Sequence, residues 1–468
     1  MAGLPLAFAS SARRIGRFPH FTLQNLYAET APSNQEKGLA LISRPGLTAL
    51  TTAGTAPRGM FQQAGLFDGD CFVVSNTSLY RVTSAGTVTA IGGTISGSER
   101  VSMAGGLNSL GAAELRIANG DGLYLYDGSL LSSEVLDGTA GVSSIIYILG
   151  MWLCSRTDTQ EMYFRFLDDT SWTALAFQSA EYTPDRIIGL IRFGDQVIAV
   201  GESSIEVFGL SGDAATPLAP YGAGLVSDIG GVSQATHVGL PGAAYVVSDT
   251  SQVLRLTPSP EVVSDPAVTE MVRTAAPNTL AAWGYVRDGY EHYVLNSNVG
   301  TFIYRRGPEA TGWSTATSKG LDYWRPAFGV QFGNRVMVAD GEPDSGQLWY
   351  LDSEVFSDDS DEITRTATGW LEIKEGRLEV YNLAVNCAVG FSPLSGQGSA
   401  PLLQVRAARD GHTFGAWRQT DLGAYGDLDV RVRLNRWGQF KSPGALFQIR
   451  CSEPVEFRIT DARINVPS

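Results

Sequence analysis

The feature that most limits how this chain can fold is a unit of short strands and tight turns that returns every forty-odd residues. Its clearest copy runs through Ile187–Phe193 and residues 196–200, separated by Gly194-Asp195, a dipeptide suited to a two-residue hairpin. A break at residues 201–204 leads into Ile205-Glu206-Val207-Phe208, and a further strand is expected upstream at residues 172–176. Four such strands are the content of one β-propeller blade. One marker per unit, in the strand after the hairpin, gives Tyr80, Tyr124, Tyr163, Glu206, Leu254, Ile303 and Trp349. Their separations are 44, 39, 43, 48, 49 and 46 residues, within the roughly 40–50 of propeller repeats. About seven blades are therefore expected.

A single blade cannot bury both of its faces, so blades must stack around an axis and the ring must close. An N-terminal strand that completes the last blade is the usual seam. Leu39–Ser43 is the candidate for it, because Pro45-Gly46 after Arg44 favours a type II turn at its end. A helical insertion is expected at Pro266–Thr274, with Pro266 in the first turn and Val268, Met271 and Val272 on one face.

The repeat stops at Ser357-Asp358-Asp359-Ser360-Asp361-Glu362, which lacks the ligand alternation of a calcium loop and reads as a solvated acidic linker. Beyond it, alternating strands are expected at residues 370–373, 377–388, 402–407, 417–421, 430–435, 446–451 and 455–459. About a hundred residues of this kind predict a β-sandwich. The expected organisation is all-β: an N-terminal arm at 1–22, a propeller at 23–356, a linker at 357–363 and a sandwich at 364–468.

Charged residues are 18% of the chain, glycines number 53 and the formal charge is −14. Such a balance suits buried strands and tight turns, and it disfavours broad non-specific binding to nucleic acid. Arg13, Arg14 and Arg17 stand against that trend and form a candidate arm for DNA phosphate or an acidic partner. Cys71, Cys154, Cys387 and Cys451 lie far apart, which predicts buried thiols rather than a zinc site or a disulfide framework. No run approaches the ~18 apolar residues of a membrane span, so no membrane insertion is expected. Residues 1–11 lack the basic start of a signal peptide.

Chemistry is sparse. His20, His237, His292 and His412 do not stand at metal-ligand spacing from one another or from a cysteine. Neither a nucleophile elbow nor a phosphate loop occurs, and Gly222-Ala223-Gly224 lacks the third glycine of a dinucleotide fingerprint. Asp410-Gly411-His412-Thr413-Phe414 faintly resembles the turn of sialidase propellers, but an Asp-Gly hairpin explains it. Catalytic, cofactor-binding and metal-binding residues are accordingly assigned to none. Two classes of function stay open at this point: a structural part, or a carbohydrate-binding or glycan-degrading propeller.

A resemblance separates them. Phe177-Gln178-Ser179-Ala180-Glu181, Pro184-Asp185-Arg186-Ile187-Ile188-Gly189 and Ser203-Ser204-Ile205-Glu206-Val207-Phe208 resemble the centre of the packaged-DNA stabilisation proteins. Those are the tail-hub, or nozzle, proteins of short-tailed bacteriophages of the lambdoid type. Asn25-Leu26-Tyr27, Arg44-Pro45-Gly46, residues 97–104 and Ser452-Glu453-Pro454-Val455 extend the likeness in order across most of the chain. The resemblance implies a homohexameric ring in the virion tail, assembled in the host cytoplasm below the portal and its adaptor. Such a hub prolongs the exit channel for double-stranded DNA without sequence-specific binding. It offers its flank to tail fibres or spikes and its tip to a needle or plug. The family has no catalytic residues to carry over.

Overall fold

In a computed structural model, which describes residues 2–10, 20–30, 39–136, 141–257, 259–308, 310–389, 394–410, 412–423, 426–427 and 430–465, each repeat is a four-stranded antiparallel sheet. Blade 1 comprises Pro57–Phe61, Cys71–Ser75, Ser78–Val82 and Val88–Ile91, and blade 2 comprises Ser102–Leu107, Ala113–Ala118, Leu123–Tyr126 and Leu131–Glu134. Val142–Ile148, Met151–Arg156, Glu161–Phe166 and Phe177–Ser179 make blade 3. Blade 4 follows as Ile187–Phe193, Gln196–Gly201, Ile205–Leu210 and Leu218–Ser227. Blade 5 is Val238–Leu240, Ala243–Val247, Val253–Thr257 and Ser259–Val262. Blade 6 is Ala281–Arg287, Tyr290–Ser297, Gly300–Arg306 and Thr311–Ala316. Pro326–Phe332, Arg335–Asp340 and Gln347–Asp352 open blade 7. All seven sequence markers fall in the third strand of their blades.

The expectation about the clearest copy needs one correction. Residues 172–176 form no strand; Phe177–Ser179 edges blade 3, and the fourth strand of blade 4 lies downstream at Leu218–Ser227. Alternation is weak in the second strands because both faces are covered: Cys71–Ser75 and Ala243–Val247 are buried throughout. Outer strands such as Ser259–Val262 are exposed. Blades approach closely where glycine meets an aromatic ring. A Cβ on Gly106 would stand 2.6 Å from Tyr147, and one on Gly329 would stand 2.2 Å from Trp283.

Each first strand packs on the first strand of the next blade, and Pro326–Phe332 returns to Pro57–Phe61, so the ring is closed. The closing strand is not Leu39–Ser43 but Gly46–Thr52, antiparallel to Gln347–Asp352 as the outer strand of blade 7. Leu39–Ser43 instead pairs with Leu26–Thr30 and with Arg458–Ile464, in the C-terminal domain. The expected turn at Pro45-Gly46 is where the chain crosses from one domain to the other.

The C-terminal domain is a sandwich of two sheets. One orders Leu26–Thr30, Leu39–Ser43, Arg458–Ile464, Arg377–Ala388 and Val430–Lys441; the other orders Arg365–Glu372, Gly444–Cys451, Leu402–Ala408 and Arg418–Asp421. Leu41, Leu383, Val385 and Val432 from the first meet Leu403, Val405, Phe447 and Ile449 from the second in one apolar core. The second sheet does not end at the domain boundary. Leu23–Gln24 pairs antiparallel with Arg365–Glu372 and parallel with Thr311–Ala316, joining sandwich and blade 6 in a nine-stranded sheet. The helix Pro266–Thr274 is present where expected. Asp265 caps it by accepting from the Ala267 and Val268 amides, and Val268, Met271 and Val272 pack on Tyr245, Tyr293 and Trp313.

Candidate functional site

Three places in this architecture have properties beyond plain packing. The first is the junction of the two domains. Arg44, whose side chain is 0% exposed, grips Asp358 with both terminal nitrogens at 2.8 and 2.6 Å. Its Nε donates to Asn25 Oδ1 at 2.8 Å, and its guanidinium lies 4.8 Å above the Trp324 ring. Asn25, held at a φ of 55°, donates to the carbonyls of Thr317 and Thr364. Nearby, Arg365 donates to the carbonyls of Glu453 and Phe356 at 2.8 Å, and burial pushes its pKa down to about 10. The expected solvated linker is therefore corrected. Ser357–Asp358 and Asp361–Glu362 form a small hairpin on the sheet of blade 7, and Asp358 is buried because Arg44 needs a counter-ion there.

The second is an apolar rim. A blade has an even number of strands, so the chain enters every blade at the same end. Connections between first and second strands, and between third and fourth, share the far face. Leu107, Leu110, Leu130, Leu149, Leu175 and Leu210 stand at or beside those connections in blades 2, 3 and 4, and all are exposed. Leu110 and Leu175 reach 91% exposure. Among the described residues, no other blade adds a large exposed apolar side chain there. In a ring of seven, blade 3 stands across from blades 6 and 7, which carry the sandwich.

The third is the axial channel, a cavity of about 600 Å³ walled by the first strands and entry loops of all seven blades. That is the size of a small-molecule site.

The sequence-derived candidates fare unevenly. Arg13, Arg14 and Arg17 lie outside the described residues. The four cysteines are buried and free, as read. His292 is buried, stacks on Tyr285 at 4.3 Å and donates from Nδ1 to the Tyr290 carbonyl; His237 lines the channel, while His20 and His412 are exposed. Asp410 accepts from the Thr413 and His412 amides, which hold its pKa down at about 2. The sialidase-like motif is thus a turn capped by its own aspartate.

Carboxylates that could suggest sugar chemistry are also accounted for. Glu114 and Glu134 are both bound by Arg116, at 2.8 and 2.7 Å. Burial holds the Glu206 carboxyl above its usual range, against a backbone hydrogen bond from Tyr182 that lowers it; its neighbour Asp185 is bonded to Ser203 and Ser204. The rim, the channel and the Arg44–Asp358 pair were missed by sequence reasoning. Leucines beside turn glycines, as in Leu110-Gly111 and Leu149-Gly150, are a local feature of the rim but form no motif.

Comparison with known proteins agrees with this architecture. The family model described as bacteriophage P22 Gp10, β-propeller, matches residues 2–356, and that described as bacteriophage P22 Gp10, β-sandwich, matches residues 364–467. No curated protein matches. Among solved structures, virginiamycin B lyase from Staphylococcus aureus is similar over 65% of this chain and 98% of its own, at 13% identity and a TM-score of 0.44. The extracellular domain of a one-component system from B. thetaiotaomicron is similar over 90% and 62%, at 12% identity and a TM-score of 0.45. Chaetomium thermophilum Raptor is similar over 66% and 29%, at 11% identity and 0.43. Likenesses of this strength carry no argument about function.

Proposed function

The chain belongs to the bacteriophage P22 Gp10 family, a family of structural virion proteins, and from that premise we propose that it is the tail hub that extends and seals the DNA exit channel. Copies form a homohexameric ring below the portal and its adaptor, assembled in the host cytoplasm once the genome is packaged. Double-stranded DNA passes between the copies, in the lumen of the ring, without sequence-specific contact. The flank of the ring takes fibres or spikes, its tip takes a needle or plug, and Arg13, Arg14 and Arg17 reach toward DNA phosphate or an acidic partner.

The observation that carries this reading is the match of both domains in order, over nearly the whole chain. Two structural features are consistent with it. The apolar rim and the sandwich lie on opposite sides of one disc, and two different surfaces so placed suit the head-to-tail contacts that close into rings. The buried Arg44–Asp358 pair and the sheet shared through Leu23–Gln24 hold disc and sandwich as one body. A net charge of −14 per copy disfavours adhesion to a polyanion.

The test uses filled particles assembled without this protein. Their DNA is expected to become nuclease-sensitive, and purified full-length protein is expected to restore protection. Particles that keep their DNA equally well without it would refute the proposal.

A further inference from the structure

In a chain of net charge −14, the axial channel has an unexpected wall. Its charged lining residues are Arg58, Arg100 and Arg192, and no Asp or Glu lines it among the described residues. None of the three arginines forms an ion pair with another described residue. Arg58 is committed elsewhere: Nε donates to the Glu99 carbonyl, Nη1 to that of Asn76 and Nη2 to that of Ser96. Glu99 and Asp121 also act on it electrostatically. Arg192, at the far end, is exposed and donates to the carbonyls of Gly194 and Tyr147.

Arg100 is different. It leaves the start of blade 2 and reaches past blade 1 to blade 7. There Nη2 donates to the Ala327 carbonyl at 3.1 Å, and the guanidinium lies 4.0 Å over the Phe328 ring. A guanidinium has five N–H donors, and only this one has a partner among the described residues. Burial alone pushes its pKa down to about 10, and no carboxylate acts on it. Two further wall residues, His237 and Trp283, carry buried ring nitrogens without protein partners. The His237 imidazole sits against Gly189 and Gly231, where a Cβ would come within 2.7 Å of Nδ1 and 3.1 Å of Nε2.

Arg100 is half-buried in the wall, and a cation held there without a counter-ion among the described residues keeps its donors open to a ligand in the channel. A guanidinium with free donors is the group best shaped to accept two oxygens of one anion. We propose that the axial channel is an anion-binding site anchored by Arg100, and that its ligand is a small oxyanion of the phosphate or carboxylate type. The site is independent of the ring and of the DNA path, because the channel runs inside one disc.

The test is calorimetric titration of the full-length protein in a chloride buffer with inorganic phosphate, with citrate, and with sodium chloride at matched ionic strength. Saturable binding of phosphate or citrate is expected, and which of the two binds identifies the oxyanion class. Arg100→Gln should weaken it by about tenfold or more, the loss of one charge-assisted contact. Arg186→Gln, which removes a surface arginine paired with Asp158 and Glu202, should leave it unchanged. Gln234→Glu adds a carboxylate to the wall and serves if Arg100→Gln does not fold; it too should weaken binding. The proposal is overturned if neither oxyanion binds up to about 10 mM, a range covering weak site affinities. It is equally overturned if sodium chloride gives the same heat, or if the folded variants bind as the wild type does.

Discussion

At the scale of single residues, the chain depends on polar groups that only distant partners make tolerable. Asp358 stands in a run of acids and serines that composition marks as solvent-facing, yet it is 6% exposed because Arg44, 314 residues away in sequence, meets it with two hydrogen bonds. Arg44→Ala leaves that carboxylate buried and unpaired, a loss expected to cost about 3–5 kcal/mol. The double variant Arg44→Met/Asp358→Leu removes both charges and should recover most of it. Urea midpoints at constant slope measure the difference, and a single variant as stable as the wild type would contradict the assignment.

His292 gives a second residue-scale expectation. Burial lowers its pKa from 6.5 to about 3, so the unfolded chain takes up a proton where the folded one does not. Its contribution is present above pH 6.5 and is lost as pH falls toward 3. The loss approaches about 1.4 kcal/mol per pH unit. His292→Phe keeps an aromatic ring against Tyr285 and should flatten the fall in stability between pH 6 and 4 by about that slope. An unchanged pH dependence would place the acid sensitivity elsewhere.

At the scale of elements, the sequence reveals what local pairing decides and hides what closure decides. Hairpins such as Phe193↔Gln196 across Gly194-Asp195 are legible because turn chemistry and strand pattern sit side by side. Markers of the third strands are legible for the same reason. Which N-terminal strand completes blade 7 is not, since Leu39–Ser43 and Gly46–Thr52 are both short strands flanking one turn. Their partners, at residues 458–464 and 347–352, are hundreds of residues away. Gly46 marks the crossing: its amide donates to the Val355 carbonyl, and a Cβ there would stand 2.4 Å from the carbonyl oxygens of Val355 and Ser357. Backbone cannot yield as a flexible side chain can, so Gly46→Ala is expected to cost about 1–3 kcal/mol. Gly3→Ala, with open space around the new methyl, is the control that should cost nothing. A thermal scan in which both behave alike would argue against Gly46–Thr52 as the seam.

At the scale of the whole molecule, function lies in surfaces that sequence order scatters. Six leucines from three blades share a face only because every blade is entered from the same end, and the channel wall takes residues from seven separate strands and their entry loops. Neither leaves a motif. The propeller, the sandwich and the phage resemblance were legible because repeats and local segments carry them. Leu110→Asp/Leu175→Asp, at two positions 91% exposed, should change stability by no more than about 0.5 kcal/mol. The same variant should abolish association between copies in sedimentation; association at wild-type strength would remove the rim from the account. The most direct measurement is electron microscopy of the purified full-length protein, alone and with portal–adaptor complex. Six-fold rings whose discs surround an opening wide enough for a DNA duplex are expected, whereas isolated discs that ignore the portal–adaptor complex would contradict a tail-hub role.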